Sequence, residues 1–180
     1  MKLLLFAGLI AVTALACNNG TDNTKQSSLT NSASNNAKSA SGSTSPKIRN
    51  DIQLQAKGLK VSQAFLIYDD GKLVPEDNST NVGQPINLRL IIDGGWQQKE
   101  GKVFIGASER IESSEGDVLL DEKDLFQNVS SVRPEDAQYI TLTANISRLN
   151  KLYDHFLVSF RVWDKNSDAE VTGSYKLRIQ

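Results

Sequence analysis

Alternation of apolar and polar residues, sustained with few breaks over residues 51–180, limits what this chain can fold into more than any other feature. A period of two places every second side chain on the same face of an extended strand. Within residues 86–93, Ile86, Leu88, Leu90 and Ile92 fall on one face. Across 138–146, Ile140, Leu142, Ala144 and Ile146 point one way while Thr141, Thr143 and Asn145 point the other. Phe156, Val158, Phe160 and Val162 alternate with Leu157, Ser159, Arg161 and Trp163, and 171–179 repeats the pattern through Tyr175, Leu177 and Ile179. Residues 60–68 and 102–108 read as further strands and 117–120 as a short one. Turn formers separate them: Asp69-Asp70-Gly71, Asp93-Gly94-Gly95, Glu115-Gly116 and Asn166-Ser167-Asp168. The one helical signal is a Ser131 cap and an acidic first turn within 131–137, enough for a single turn, with another short turn at 124–127.

About seven strands with one apolar face each, and no crossover helix, predict an all-β domain, either two antiparallel sheets packed face to face or a barrel. The strand at 153–165 ends in Trp163-Asp164. A polar turn and the closing run Val171-Thr172-Gly173-Ser174-Tyr175-Lys176-Leu177 follow. This pair and the strand spacing resemble an immunoglobulin-like or fibronectin-type β-sandwich. The antibody-type Cys pair is missing, because the chain has 1 Cys.

The first 16 residues follow a different rule. Lys2 precedes an apolar run, residues 3–16, that carries no charge. A spanning helix needs about 20 apolar residues, so the run has the layout of a secretory signal peptide. It ends in Thr13-Ala14-Leu15-Ala16-Cys17, which resembles the lipobox of bacterial lipoproteins. Two positions depart from that family's commonest pattern: Ala14 stands where Leu is usual, and Leu15 where a smaller residue is usual. The resemblance implies cleavage before Cys17, a thioether lipid on its sulfur and an acyl chain such as palmitate on the new N-terminus. One chain anchors only marginally, at about 0.8 kcal/mol per buried CH₂, so several chains hold such a protein on a membrane. Asn18 after the Cys, in place of Asp, implies the outer membrane of the cell envelope. No acidic run follows Cys17 closely, which favours the periplasmic face.

Residues 18–50 contain little to fold. Of these 33 residues, 21 are Asn, Ser, Thr or Gly, and the only large apolar ones are Leu29 and Ile48. Such a stretch buries too little apolar surface to offset its ordering entropy. Cys17 and this segment, residues 17–50, are expected to form a lipidated, disordered tether of root-mean-square span roughly 30 Å. Five of the 20 basic residues and one of the 21 acidic residues lie in the first 50 positions. The folded part, 51–180, is left with 15 basic and 20 acidic residues, a net of −5. Nucleic-acid binding needs a basic footprint, so that function class is set aside.

Catalytic vocabulary is sparse. One Cys and one His cannot build a Cys/His zinc site or an internal disulfide. His155 and Ser159 are about 13 Å apart along an extended strand, and no nucleophile-elbow motif is present. Asp69-Asp70 reads as a turn, and Asp121-Glu122 with Asp124 as a solvated corner. Gly94-Gly95-Trp96 with Lys99 and Gly101-Lys102 lacks phosphate-loop spacing. Asp164, Asn166, Asp168 and Glu170 offer oxygens at alternate positions, as calcium loops do, but Ala169 replaces the turn Gly and Tyr175 the bidentate Glu. The plainer reading is a polar hairpin loop. Trp96, Tyr153 and Trp163 are candidates for a sugar- or peptide-binding platform. No cofactor is implied. The expectation is a non-enzymatic protein-binding or assembly module, tied to the membrane through Cys17 and meeting an envelope protein partner. The alternative is a receptor for carbohydrate or calcium. A contiguous apolar patch on one sheet would favour the partner, and a concave pocket with convergent polar groups the ligand.

Overall fold

The alternating segments do form strands, and their buried faces decide how the sheets stack. The computed structural model describes residues 45–180. In chain order the strands are β1 (Lys47–Ile48), β2 (Gln53–Lys57), β3 (Lys60–Ile67), β4 (Ser79–Thr80), β5 (Ile86–Gly94), β6 (Ile105–Ser113), β7 (Val118–Glu122), β8 (Tyr139–Ala144), β9 (Phe156–Asp164) and β10 (Glu170–Ile179). A single 3-10 turn, Asp136–Gln138, precedes β8 and buries Ala137. The helical signal over 131–137 thus yields only this 3-10 turn at its end, and Ser131 does not cap it, since the cap position is Glu135 and carries no side-chain hydrogen bond.

Two sheets result. The four-stranded sheet runs β1-β3-β5-β8, and the six-stranded sheet runs β2-β10-β9-β6-β7 with β4 added beside β10. Pairing is antiparallel except for β1 on β3 and β4 on β10. Strands β3, β5 and β8 in one sheet and β6, β9 and β10 in the other follow the order of an immunoglobulin-like sandwich, with no strand outside β8 among the described residues. The inner faces carry the expected residues. Leu88, Leu90, Ile92 and Leu142 from one sheet and Phe156, Val158, Val162 and Leu177 from the other are buried.

The described residues hold ten strands, not about seven. Of the three unforeseen ones, β1 and β4 are two residues long and show no period, while β2 alternates over five residues but buries little, with Leu54 half-buried and Ala56 exposed. Strand β6 begins and ends later than the expected 102–108. Its inward row runs Ile105, Ala107, Glu109, Ile111, Ser113, and the buried Glu109 interrupts the apolar phase where the alternation would otherwise be read.

The folded unit also begins before residue 51. Strand β1 lies within the segment read as tether, and Asn50, 1% exposed, is the hub of a buried latch. Its side-chain amide donates to the Val74 carbonyl (3.2 Å), the Pro75 carbonyl (3.1 Å) and Asn78 Oδ1 (2.9 Å). Its Oδ1 accepts the Leu66 amide (3.0 Å), and Asn78 Nδ2 donates to its carbonyl (2.8 Å). Glu76 closes the latch, accepting the Asn50 amide at 2.9 Å and the Arg49 guanidinium. The Asn50 amide first, and Arg49 second, hold the Glu76 carboxyl below its ordinary range. Asn50 and Asn78 both sit at φ 58°, a left-handed conformation that Asn tolerates better than most residues.

Candidate protein-binding face

A two-layer sandwich has two outer faces, and these two differ. On the six-stranded sheet the outer face carries ion pairs between strands, with Val118 and Leu157 exposed among them. Arg110 lies 2.7 Å from Glu112 and 3.4 Å from Asp121, and Arg161 lies 2.7 Å from Glu170. Exposed pairs of this kind contribute about 0–1 kcal/mol each and mark a solvated surface. Trp163 belongs to this face. Its indole lies across Gly106 of the neighbouring strand, where any Cβ would collide with the ring, and the Arg161 guanidinium sits 4.8 Å from the ring centroid. Packed against Gly106 and topped by Arg161, Trp163 is not a free platform.

The four-stranded sheet presents apolar groups outward. Since Ala64, Leu66, Leu88 and Leu90 point into the core, their neighbours point out. Cross-strand register aligns the outward residues in three rows: Gln63–Ile91–Tyr139, Phe65–Arg89–Thr141 and Ile67–Asn87–Thr143. Phe65, Ile67 and Ile91 are half-buried and lie outside the core cluster, while Tyr139 is 56% exposed. Leu73, bridged to Ile67 and 45% exposed, extends the patch. The polar members at one end satisfy one another. Asn87 donates to Asp69 (2.7 Å) and accepts from the Thr143 hydroxyl (2.7 Å). At the other end Ser62 donates to Asp93 (2.8 Å). Arg89, in the middle row, is different. Its Nε is buried without a hydrogen-bond partner, and no carboxylate among the described residues pairs with it.

The edge beside this face is open. Strand β8 pairs with β5 on one side, and no described strand pairs with it on the other. It spans 6 residues, Tyr139–Ala144, without a charge or a proline. Each of the other sheet edges is short or charged: β1 has two residues including Lys47, β2 ends in Lys57, and β7 carries Asp121 and Glu122. Proteins usually blunt free edges with such charges, so β8 stands out as unguarded.

The other sequence-derived candidates disperse. Cys17, the signal peptide and most of the tether lie outside the described residues. The Asp164 carboxylate, 1% exposed, is engaged by protein donors, accepting the Asn166 amide (2.9 Å), the Ser167 hydroxyl (3.0 Å) and the Gln97 amide (2.5 Å). It closes the β9–β10 hairpin and pins the β5–β6 loop. Glu170 is committed to Arg161. No group of three acidic, His or Cys side chains placed for a metal occurs among the described residues, so Asp164, Asn166, Asp168 and Glu170 do not converge as a calcium site. Trp96 packs partly against the core beside a cleft of about 450 Å³. Tyr153 lies seven strand positions or more from Trp163, roughly 23 Å at 3.3 Å per residue, and donates to Asp117 (3.0 Å) and Asn150 (3.1 Å). Trp96 precedes Gln97, whose amide reaches Asp164 next to Trp163, whereas Tyr153 packs on Phe156 at the other end of β9. The half-buried His155 contacts the exposed Asp154 through Nδ1 (2.7 Å), and its carbonyl accepts the Ser114 amide (2.9 Å), but no serine side chain is bonded to its ring.

Phe65, Ile67, Ile91 and Arg89 were not singled out by periodicity, although one signal was present. Ala64-Phe65-Leu66-Ile67 is apolar in both phases, as expected of a strand covered on two faces rather than one. No protein-family model matches the chain, and no curated protein matches its sequence.

Proposed function

We propose that this chain is a lipid-anchored cell-envelope lipoprotein whose β-sandwich is a non-enzymatic protein-binding module. It is tethered through Cys17 to the outer membrane and faces the periplasm. The observation that carries the reading is the outer face of the four-stranded sheet, where Phe65, Ile67, Ile91 and Tyr139 surround Arg89, which has no acidic partner among the described residues, beside the open edge of β8. Apolar side chains grouped around an unpaired cation beside a free strand edge suit contact with another protein. Tethering adds to it, because a short leash raises the local concentration of a weak binder near membrane partners. The clefts are shallow and lined by mixed surface residues, such as the 570 Å³ one between β7 and the β8–β9 loop. The cleft of about 320 Å³ lined by Asp51, Glu76, Asn78, Lys176 and Arg178 does gather polar groups and is the best seat for the alternative reading, a ligand receptor.

The test is affinity purification from envelope fractions after crosslinking, with the wild-type chain and the double variant Phe65→Asp/Ile91→Asp. The expected result is one stoichiometric envelope protein recovered with wild type and lost with the variant, while circular dichroism reports an unchanged fold. Equal recovery with both chains would remove this face from the account.

A further inference from the structure

We infer that β8 receives an extended strand of the partner, and that this strand carries an aspartate or glutamate opposite Thr141 that pairs with Arg89. The inference rests on the protein-binding reading and specifies what the partner offers. Strand β8 ends the four-stranded sheet with its outer backbone groups unpaired by any described strand. Its residues have high β propensity and no guarding charge. An added strand would continue the sheet at the usual spacing of about 4.8 Å, supplying main-chain hydrogen bonds that are independent of sequence.

Specificity then falls to the outward row. In that row Arg89 on β5 is followed by Thr141 on β8, so the next position outward belongs to the guest strand. Two strand spacings, about 9.6 Å, separate the Arg89 backbone from the guest backbone. Thr141 is small enough for the Arg89 side chain to pass over it towards a guest carboxylate. Arg89 brings an Nε that is buried and unpartnered, and a guanidinium without an acidic partner among the described residues. A bound carboxylate would satisfy it with charge-assisted hydrogen bonds in a setting dried by Phe65, Ile91 and Tyr139. Asp69 and Asp93, the acids nearest the face in sequence register, are engaged by Asn87 and Ser62. A second copy of this chain is the wrong guest for this pairing, because β8 itself has no acidic residue to place opposite Thr141.

The full chain carrying the photocrosslinker p-benzoylphenylalanine at position 143 is irradiated in intact cells, and the crosslinked peptide is sequenced by mass spectrometry. Control probes sit at Thr172 and Gln55 on the six-stranded sheet. The expected product is a segment of one envelope protein with an acidic residue flanked by alternating apolar ones. Its yield should fall at least tenfold with Arg89→Glu and less with Arg89→Gln, and replacing the guest acid by Lys should restore it in the Arg89→Glu chain. Thermal melts of both variants check folding. A crosslink to β8 of a second copy, to lipid, or to a segment without an acid would overturn the inference, as would a yield indifferent to Arg89. Crosslinks from the control positions alone would overturn it and leave the binding-module reading standing. Silence at all positions would remove both.

Discussion

At the scale of single residues, Glu109 is the feature least like a sandwich core. It points inward on β6, 2% exposed, with Oε1 lacking a hydrogen-bond partner, and burial raises its pKa to about 7. Tyr175, also buried with an unpartnered hydroxyl, is pushed well above its ordinary range by burial first and by the Glu109 charge second. An acid whose pKa rises on folding binds its proton more tightly in the native state. Below the unfolded value of 4.5 both states hold the proton and the site is neutral to stability. As pH rises from there to about 7 the unfolded state ionises first, so stability falls. The full loss is about 3 kcal/mol from the 1.36 kcal/mol per unit relation. Urea unfolding at pH 5 and pH 8 should register most of that loss in wild type and little of it in Glu109→Gln. Equal pH dependence in both chains would place the titration elsewhere. Nothing in the alternation foretold a carboxyl inside, because a polar residue in the apolar phase reads as the end of a strand rather than its middle.

At the scale of elements, long strands were legible and short ones were not. Strands β5, β8, β9 and β10 lie close to where a period of two puts them, since each buries one complete apolar row. Strands β1 and β4, two residues each, owe their conformation to partners already in place, and the alternation of β2 is too short and too little buried to stand out. The latch is the clearest case. Asn50 looks like one more polar residue of a low-complexity stretch, yet it ties β1 to β3 and to the loop before β4. Asn50→Ala removes the acceptor for the buried Leu66 amide and puts alanine in a left-handed conformation. The sum is about 2–4 kcal/mol of lost stability, or on the order of 10 °C in Tm for a domain of this size. A calorimetric scan checks it, and a shift of under 2 °C would mean that the latch is dispensable. The Glu76 carboxyl, with its pKa lowered, acts in the opposite sense to Glu109. Its contribution is present above its unfolded value and is lost as pH falls through the folded one.

The candidate face belongs to the same scale. Its apolar residues were visible one by one, but their adjacency depends on register between strands far apart in sequence. Phe65, Arg89 and Thr141 meet only because β3, β5 and β8 pair as they do. The aromatics Trp96, Tyr153 and Trp163 attract notice in sequence for their size, and in the fold each packs against its own neighbours, Trp96 against the core, Tyr153 on Phe156 and Trp163 on Gly106. Trp163 shows why: an indole needs somewhere to lie, and Gly106 on the neighbouring strand provides it.

At the scale of the whole molecule, the proposed function divides the chain's work between attachment and recognition. The proposed anchor is Cys17, and Cys17→Ser should leave the precursor unprocessed or release the protein from the membrane fraction. Normal processing and fractionation of that variant would overturn the lipoprotein reading. Recognition is assigned to the four-stranded sheet and its open edge, and that claim has a direct measurement. Hydrogen–deuterium exchange is recorded on the full chain in native envelope membranes and again after purification in detergent. The account predicts that the amides of Tyr139–Ala144 facing away from β5 exchange at least tenfold more slowly in the membranes, while the six-stranded sheet exchanges alike in both. Equal exchange along β8 in the two preparations, or protection confined to β7 or β10, would contradict it.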